Sequence, residues 1–120
     1  MGLDMYAMAT KEKIDRPVDF KVTEASQIFY WRKHPDLHGW MEQLYYIKGG
    51  QEPFNCVPVA LDESDLDRLE KELCNEDLPS TSGPFFGVST DHDKEDDLAF
   101  IAKARHHIGE GYTVFYDSWW

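Results

Sequence analysis

Apolar and polar positions alternate from Leu3 to Met8, with Leu3, Met5 and Ala7 on one side and Asp4, Tyr6 and Met8 on the other. That period of two is the signature of a half-buried strand. Thr10 to Pro17 is charged and reads as a loop, and Val18 to Val22 as a short extended piece. At Pro35 the period changes. Leu37, Trp40, Met41, Leu44 and Tyr45 recur at helical spacing and predict one buried face. Proline suits the first helical position, where its missing N–H would have no partner anyway, and Asp36 sits where the helix dipole favours an anion. Gly49-Gly50 closes that helix. Phe54 to Ala60 is β-like, but Pro53 and Pro58 lack a ladder donor, which predicts an edge strand or an extended segment. A second helix is expected over Ser64–Cys74, with Ser64 and Asp67 as a capping pair and Leu66, Leu69 and Leu73 facing inward. Asn75 to Pro84 reads as a loop and Phe85 to Ser89 as a short strand interrupted by Gly87. A third helix would take Thr90 or Asp91 as N-cap and turn Leu98, Ile101, Ala102, Arg105 and Ile108 to one side. Gly109 would end it as a left-handed C-cap. Tyr112 to Tyr116 predicts a last strand before Trp119-Trp120. Helices mixed with short strands, joined by connections too brief for several crossovers, predict an α+β fold: one domain over residues 1–120, its short mixed or antiparallel sheet packed on about three helices.

The chain's 120 residues, 42% of them apolar and 14% aromatic, can bury a core of their own. No apolar run approaches membrane-spanning length and no leader pattern is read, so membrane insertion is not expected and the chain reads as cytosolic. Cys56 and Cys74 fall on different elements and are expected to be buried free thiols. Charge changes the picture more. The net charge is −11, divided into −1 over residues 1–60 and −10 over residues 61–120. Asp62, Glu63, Asp65, Asp67 and Glu70 on the second helix, with Asp93, Glu95, Asp96 and Asp97 on the third, form a candidate acidic face. Such a field repels duplex phosphates and attracts basic protein surfaces, so direct duplex DNA binding is excluded in favour of a basic protein partner, including one that itself binds nucleic acid.

Candidate chemistry concentrates in Tyr30-Trp31-Arg32-Lys33-His34-Pro35-Asp36-Leu37-His38-Gly39-Trp40. Two cations just before a helix start offer an anion site. Tyr30, Trp31, Arg32, Lys33, His38 and Trp40 are therefore candidate contacts for a nucleotide or other phosphate compound, with a tryptophan as stacking wall. In a hydrolytic variant of that reading His38 would be the general acid or base. Against it stands the simpler assignment: the tryptophans as core, and Arg32 and Lys33 paired with nearby carboxylates. His34 and His38 have a chelating separation, but Pro35 forces His34 out of helical geometry and no further ligand completes a set, so neither metal nor cofactor is expected. The Ser80-Thr81-Ser82-Gly83 stretch is no phosphate loop, because no lysine follows the glycine and no helix opens directly after it.

Four blocks carry a resemblance: Met1-Gly2-Leu3-Asp4-Met5-Tyr6; Tyr30-Trp31-Arg32-Lys33 with His38 and Trp40; Leu78-Pro79 to Phe85-Phe86-Gly87; and the closing Tyr116-Asp117-Ser118-Trp119. In these the chain is similar to a family of small proteins encoded by phages and prophages. Some members carry a phosphoglycerate kinase label, which a chain this short without a nucleotide-binding loop does not support. The resemblance implies a non-enzymatic accessory protein in the host cytoplasm, one that binds and modulates a host machine or a defence system in the manner of an anti-CRISPR protein. The acidic face fits that role, and the state expected is a monomer or a homodimer. The aromatic tail is expected to bring Trp119 back against the Tyr30–Trp40 cluster, leaving Trp120 more exposed.

Overall fold

In the computed structural model the described residues are 3–32, 34–75, 78 and 93–119. The expected Phe85–Ser89 strand, the caps Thr90 and Asp91, Lys33, Trp120 and the side chain of Asp93 lie outside them. The first strand, β1 (Asp4–Thr10), has the predicted alternation: Met5, Ala7 and Ala9 are buried, as is Leu3 just before it, and Asp4, Tyr6 and Met8 lie on the opposite face. It pairs antiparallel on one side with β2 (Ser26–Arg32) and on the other with β4 (Thr113–Trp119). β4 in turn pairs with the three-residue β3 (Val59–Leu61). The strand order is β2-β1-β4-β3, so the first and last strands form the centre of a four-stranded antiparallel sheet.

Three helices pack on one face of it. α1 (Pro35–Ile47) begins at the predicted proline and buries Leu37, Trp40, Met41, Leu44 and Tyr45. Gly49, with φ +101°, ends it in the left-handed region, and Gly50 lies so close to the Tyr45 ring that a Cβ there would fall 2.3 Å from it. α2 (Glu63–Cys74) buries Leu66, Leu69 and Leu73 as predicted, but its cap is shifted. Asp62, not Ser64, is the N-cap: its Oδ1 accepts from the Asp65 amide at 2.8 Å, and Asp65 Oδ2 accepts in return from the Asp62 amide at 3.0 Å. A carboxylate reaches the unpaired amides of the first turn as well as a hydroxyl does, and it also complements the dipole.

α3 (Asp93–Gly109) has a different inward face from the one predicted. Asp97, Phe100, Ile101 and Ala104 are buried, Leu98 and Ile108 partly so, and Ala102 is exposed. The turn into β4 is made by Gly111, with φ +92°, and not by Gly109, which is still helical. The phase of α3 is fixed by Asp97, a fully buried carboxylate that an apolar count places outside. Its Oδ1 accepts from Trp31 Nε1 at 3.0 Å and its Oδ2 from the His34 ring Nε2–H at 2.7 Å. One side chain thereby ties α3 to β2 and to the residue that caps α1.

The core between sheet and helices collects Met5, Ala7, Trp31, Val59, Leu61, Val114 and Tyr116 from the strands. Trp31 packs edge-on against Phe100 at 4.9 Å between centroids. Complete burial of side chains of this size is worth roughly 1.5–3 kcal/mol each, which makes the helix-covered face the main source of stability. The β-like stretch before Ala60 forms ladder bonds only in its last residues and, as expected for a proline-flanked segment, lies at the sheet edge. Pro17–Asp19 covers part of that edge through bonds from the Ala60 amide to Pro17 O and from the Asp19 amide to Pro58 O. Both cysteines are free, as expected, but exposed: Cys56 lies in an irregular loop and Cys74 ends α2 on its solvent side. Among the described residues no helix is long and apolar enough to cross a membrane.

Asp97→Ala should lower the unfolding free energy by about 3–5 kcal/mol, because it strips two buried donors of their acceptor. The exposed neighbour Asp96→Ala should change it by less than about 0.5 kcal/mol. Urea denaturation of both variants checks this. A loss at Asp97 below about 1 kcal/mol would reduce the network to an ordinary hydrogen bond.

Candidate functional site

The Tyr30–Trp40 cluster is divided by the element it belongs to. Tyr30, Trp31 and Arg32 are not a lead-in to the helix but the end of β2, and successive strand residues point to opposite faces. Tyr30 and Arg32 therefore project from the open face of the sheet. There the Tyr30 hydroxyl donates to Asp4 Oδ1 at 2.6 Å, and Arg32 Nε lies 3.8 Å from the same oxygen. The hydrogen bond to Asp4 raises the Tyr30 phenol above its ordinary pKa. Trp31 points the other way and is buried against Phe29 and Phe100, its N–H held by Asp97. The carboxylate beside the helix start is the chain's own.

His38 is 1% exposed. Its Nδ1 shares a 2.7 Å hydrogen bond with the Tyr116 hydroxyl, and the ring lies 5.0 Å from that of Phe54. Burial pushes its pKa down to about 4 and lifts that of Tyr116 well above the ordinary phenol value. An imidazole held neutral inside a core lacks both the solvent access and the poised pKa of a general acid or base. His34 turns to Asp97 and His38 to Tyr116, so the two histidines do not converge. Trp40 is also buried: its N–H donates to Glu72, and the Arg68 guanidinium lies over its ring at 5.6 Å. It borders a shallow cavity of about 180 Å³ walled by Arg68 and Glu72. The aromatic cluster read as a stacking wall is thus mostly core.

The candidate acidic face divides in the same way. Asp65 is buried, capping α2 and receiving Lys48 Nζ at 2.5 Å; Asp97 is buried in the network above. Asp62 is drawn below the ordinary carboxylate range, chiefly by the Asp65 amide. Asp67 and Glu70 share Arg105, at 2.7 and 3.1 Å, which clips α3 to α2. Glu63, Glu95 and Asp96 are exposed and form no hydrogen bond or ion pair with another described residue. Among the described residues of the candidate face, these three are the acidic side chains left to a partner.

The open face of the sheet carries features that charge and motif counting passed over. Three neighbouring strands set Arg32, Asp4 and Trp119 in one row, then Tyr30, Tyr6 and Asp117, then Gln27, Met8 and Phe115. The Tyr6 and Tyr30 rings meet at 5.4 Å. Trp119, expected to fold back against the Tyr30–Trp40 cluster, lies in the row of Asp4 and Arg32 but is 66% exposed. Its position three residues after Tyr116 puts it on the face opposite that core residue. Phe115 is buried on this side because Phe20, from the segment between β1 and β2, covers it edge-on at 5.2 Å. Beside that cover a groove of about 470 Å³ runs over Tyr6, Met8 and Phe115 to Asp117. A wider hollow of about 830 Å³ lies at Thr10–Glu12 and Thr23–Ser26, but Glu12 there is engaged by the amides of Thr23 and Glu24. The sequence signal for the first groove was the single charged residue in the last strand, Thr113–Trp119.

No protein-family model, curated protein or solved structure matches the chain.

His38 gives that geometry a pH signature. Its folded pKa lies below its unfolded value of about 6.5, so the unfolded state binds more protons between the two. Stability should be complete above about pH 6.5 and fall as pH drops toward 4, by up to about 3 kcal/mol from this residue. Asp117, raised by burial, acts with the opposite sign, since protonation favours its folded form. The difference between wild type and His38→Asn across that window isolates the imidazole. Parallel pH profiles for the two proteins would mean that His38 titrates normally.

Proposed function

We propose that the protein is a non-enzymatic accessory protein of the phage type, acting in the host cytoplasm by binding a host or defence component that presents a basic surface. One observation carries this reading: the aromatic and histidine side chains that a catalytic or nucleotide site would require are already engaged inside the protein. Trp31 is held by Asp97 and His38 by Tyr116, and both are buried. What the molecule offers to its surroundings is unpaired negative charge at Glu63, Glu95 and Asp96 and an open sheet face with Tyr6, Tyr30 and Trp119. The net charge of −11 supports long-range attraction of a cationic surface and repulsion of bare phosphates. The four sequence blocks similar to phage and prophage proteins supply the biological setting.

Replacing Glu63, Glu95 and Asp96 together by Lys should leave the fold intact, since none of their side chains bonds to another described residue. Tagged wild type expressed during infection should retain a partner that salt releases, because exposed charges are screened beyond about 8 Å at physiological ionic strength. The triple variant should lose it. Recovery of the same proteins by both would remove electrostatic capture. A thermal-shift screen of nucleotides and phosphates should show no response, whereas a ligand present at 100-fold its Kd would stabilise by about 2.7 kcal/mol.

A further inference from the structure

The groove on the open face of the sheet contains a carboxylate whose charge no described cation balances. Asp117 lies in β4 directly opposite Tyr6 of β1. Beside it the groove is floored by Met8 and Phe115 and walled by Val22 and Gln27, with a volume of about 470 Å³. Among the described residues no cation approaches Asp117. Its Oδ1 accepts the amide N–H of Ser118 at 2.8 Å, and Arg32 on this face is paired with Asp4 one row away. Asp117 therefore differs from Asp65 and Glu70 on α2, which meet Lys48 and Arg105. Burial accordingly holds its carboxyl above the ordinary range.

A half-buried carboxylate beside two aromatic rings and a thioether has a definite complement. It fits a cation that is flat, weakly hydrated and carried on an apolar stem, so that the stem covers Met8 and the Tyr6 ring while the charge meets Asp117. Water in the groove provides neither the stem contacts nor the opposite charge. We propose that this groove is the docking point for an arginine side chain of the basic protein partner, received by Asp117 and stacked on Tyr6. The assignment rests on the reading of the protein as a binder of basic surfaces and gives that reading a location. Glu63, Glu95 and Asp96 attract the partner at a distance, and the groove fixes its register. Tyr30, in the row of Tyr6 and Asp117, and Trp119, in the next row, are placed to meet the flanking residues of the same segment.

The test uses the full chain, isotope-labelled, titrated by NMR with a capped glycine–arginine–glycine tripeptide and with its citrulline counterpart, which keeps the shape and removes the charge. The arginine peptide should shift the amides of Tyr6, Met8, Gln27 and Asp117, and the citrulline peptide should not. Asp117→Asn, which preserves size and hydrogen-bonding capacity, should weaken arginine binding by about ten-fold or more. The Glu63, Glu95 and Asp96 triple variant should retain the groove shifts. Equal binding by Asp117→Asn and wild type would overturn the assignment, as would shifts confined to α2 and α3 or none at all. If the groove responds as described while infection partners are recovered equally by wild type and triple variant, the groove stands and electrostatic capture falls. The reverse pattern leaves electrostatic capture and removes the groove.

Discussion

The structure depends on one buried carboxylate. Taking Asp97 out of water is expensive, and the cost is met only because two donors from different parts of the chain converge on it: the Trp31 indole from β2 and the His34 imidazole from the start of α1. Neither donor is adjacent to Asp97 in sequence, so the network forms only when strand, helix start and third helix are together. It also sets the rotation of α3. With Asp97 inside, Phe100, Ile101 and Ala104 must face the sheet, and Arg105 falls where it reaches Asp67 and Glu70 on α2. The position of α2 thus follows partly from a contact made at the other end of α3.

The same sheet has two unlike faces, and that division determines what the molecule can do. Strand alternation sends Met5, Trp31 and Tyr116 under the helices and leaves Tyr6, Tyr30, Asp117 and Trp119 on the open side. The inner face holds chemically versatile groups, among them His38 with Tyr116 and His34 with Asp97, but closes them off from solvent. The outer face is poorer in such groups and richer in access. Recognition belongs where side chains reach solvent without partners of their own, which is why the functional reading moves from the histidine-rich segment to the open face and the helix carboxylates.

Much of the architecture was legible in the sequence because it depends on local periodicity. The alternation of β1, the apolar stripes of α1 and α2, the proline at the start of α1 and the marginal, edge-bound strand near Pro58 all follow from neighbours within a few residues. The departures arise from long-range contacts and from caps that more than one residue type can supply. By composition Tyr30–Trp40 is a single chemical cluster, whereas strand pairing with β1 sends Tyr30 and Arg32 to one face and Trp31 to the other. Arg105 and Ala102 were assigned inward on α3 because an apolar count cannot anticipate a buried aspartate. The α2 cap shifted from Ser64 to Asp62 because both residue types satisfy the same amides, and Lys48, distant in sequence, also favours Asp65.

By itself the sequence determined the three helices, the strands β1 and β4, the α+β class, the acidic balance and the residues available for chemistry, since these follow from composition and from spacing of two or about three and a half residues, whereas β2 was not legible in it. Only the tertiary structure decided which polar groups are enclosed and which are free to act. Burial and pairing depend on partners tens of residues away: Asp97 on Trp31 and His34, His38 on Tyr116, Asp117 on the absence of any described cation near it. A side chain's chemical capacity is written in its type, but its availability is set by what the fold places beside it.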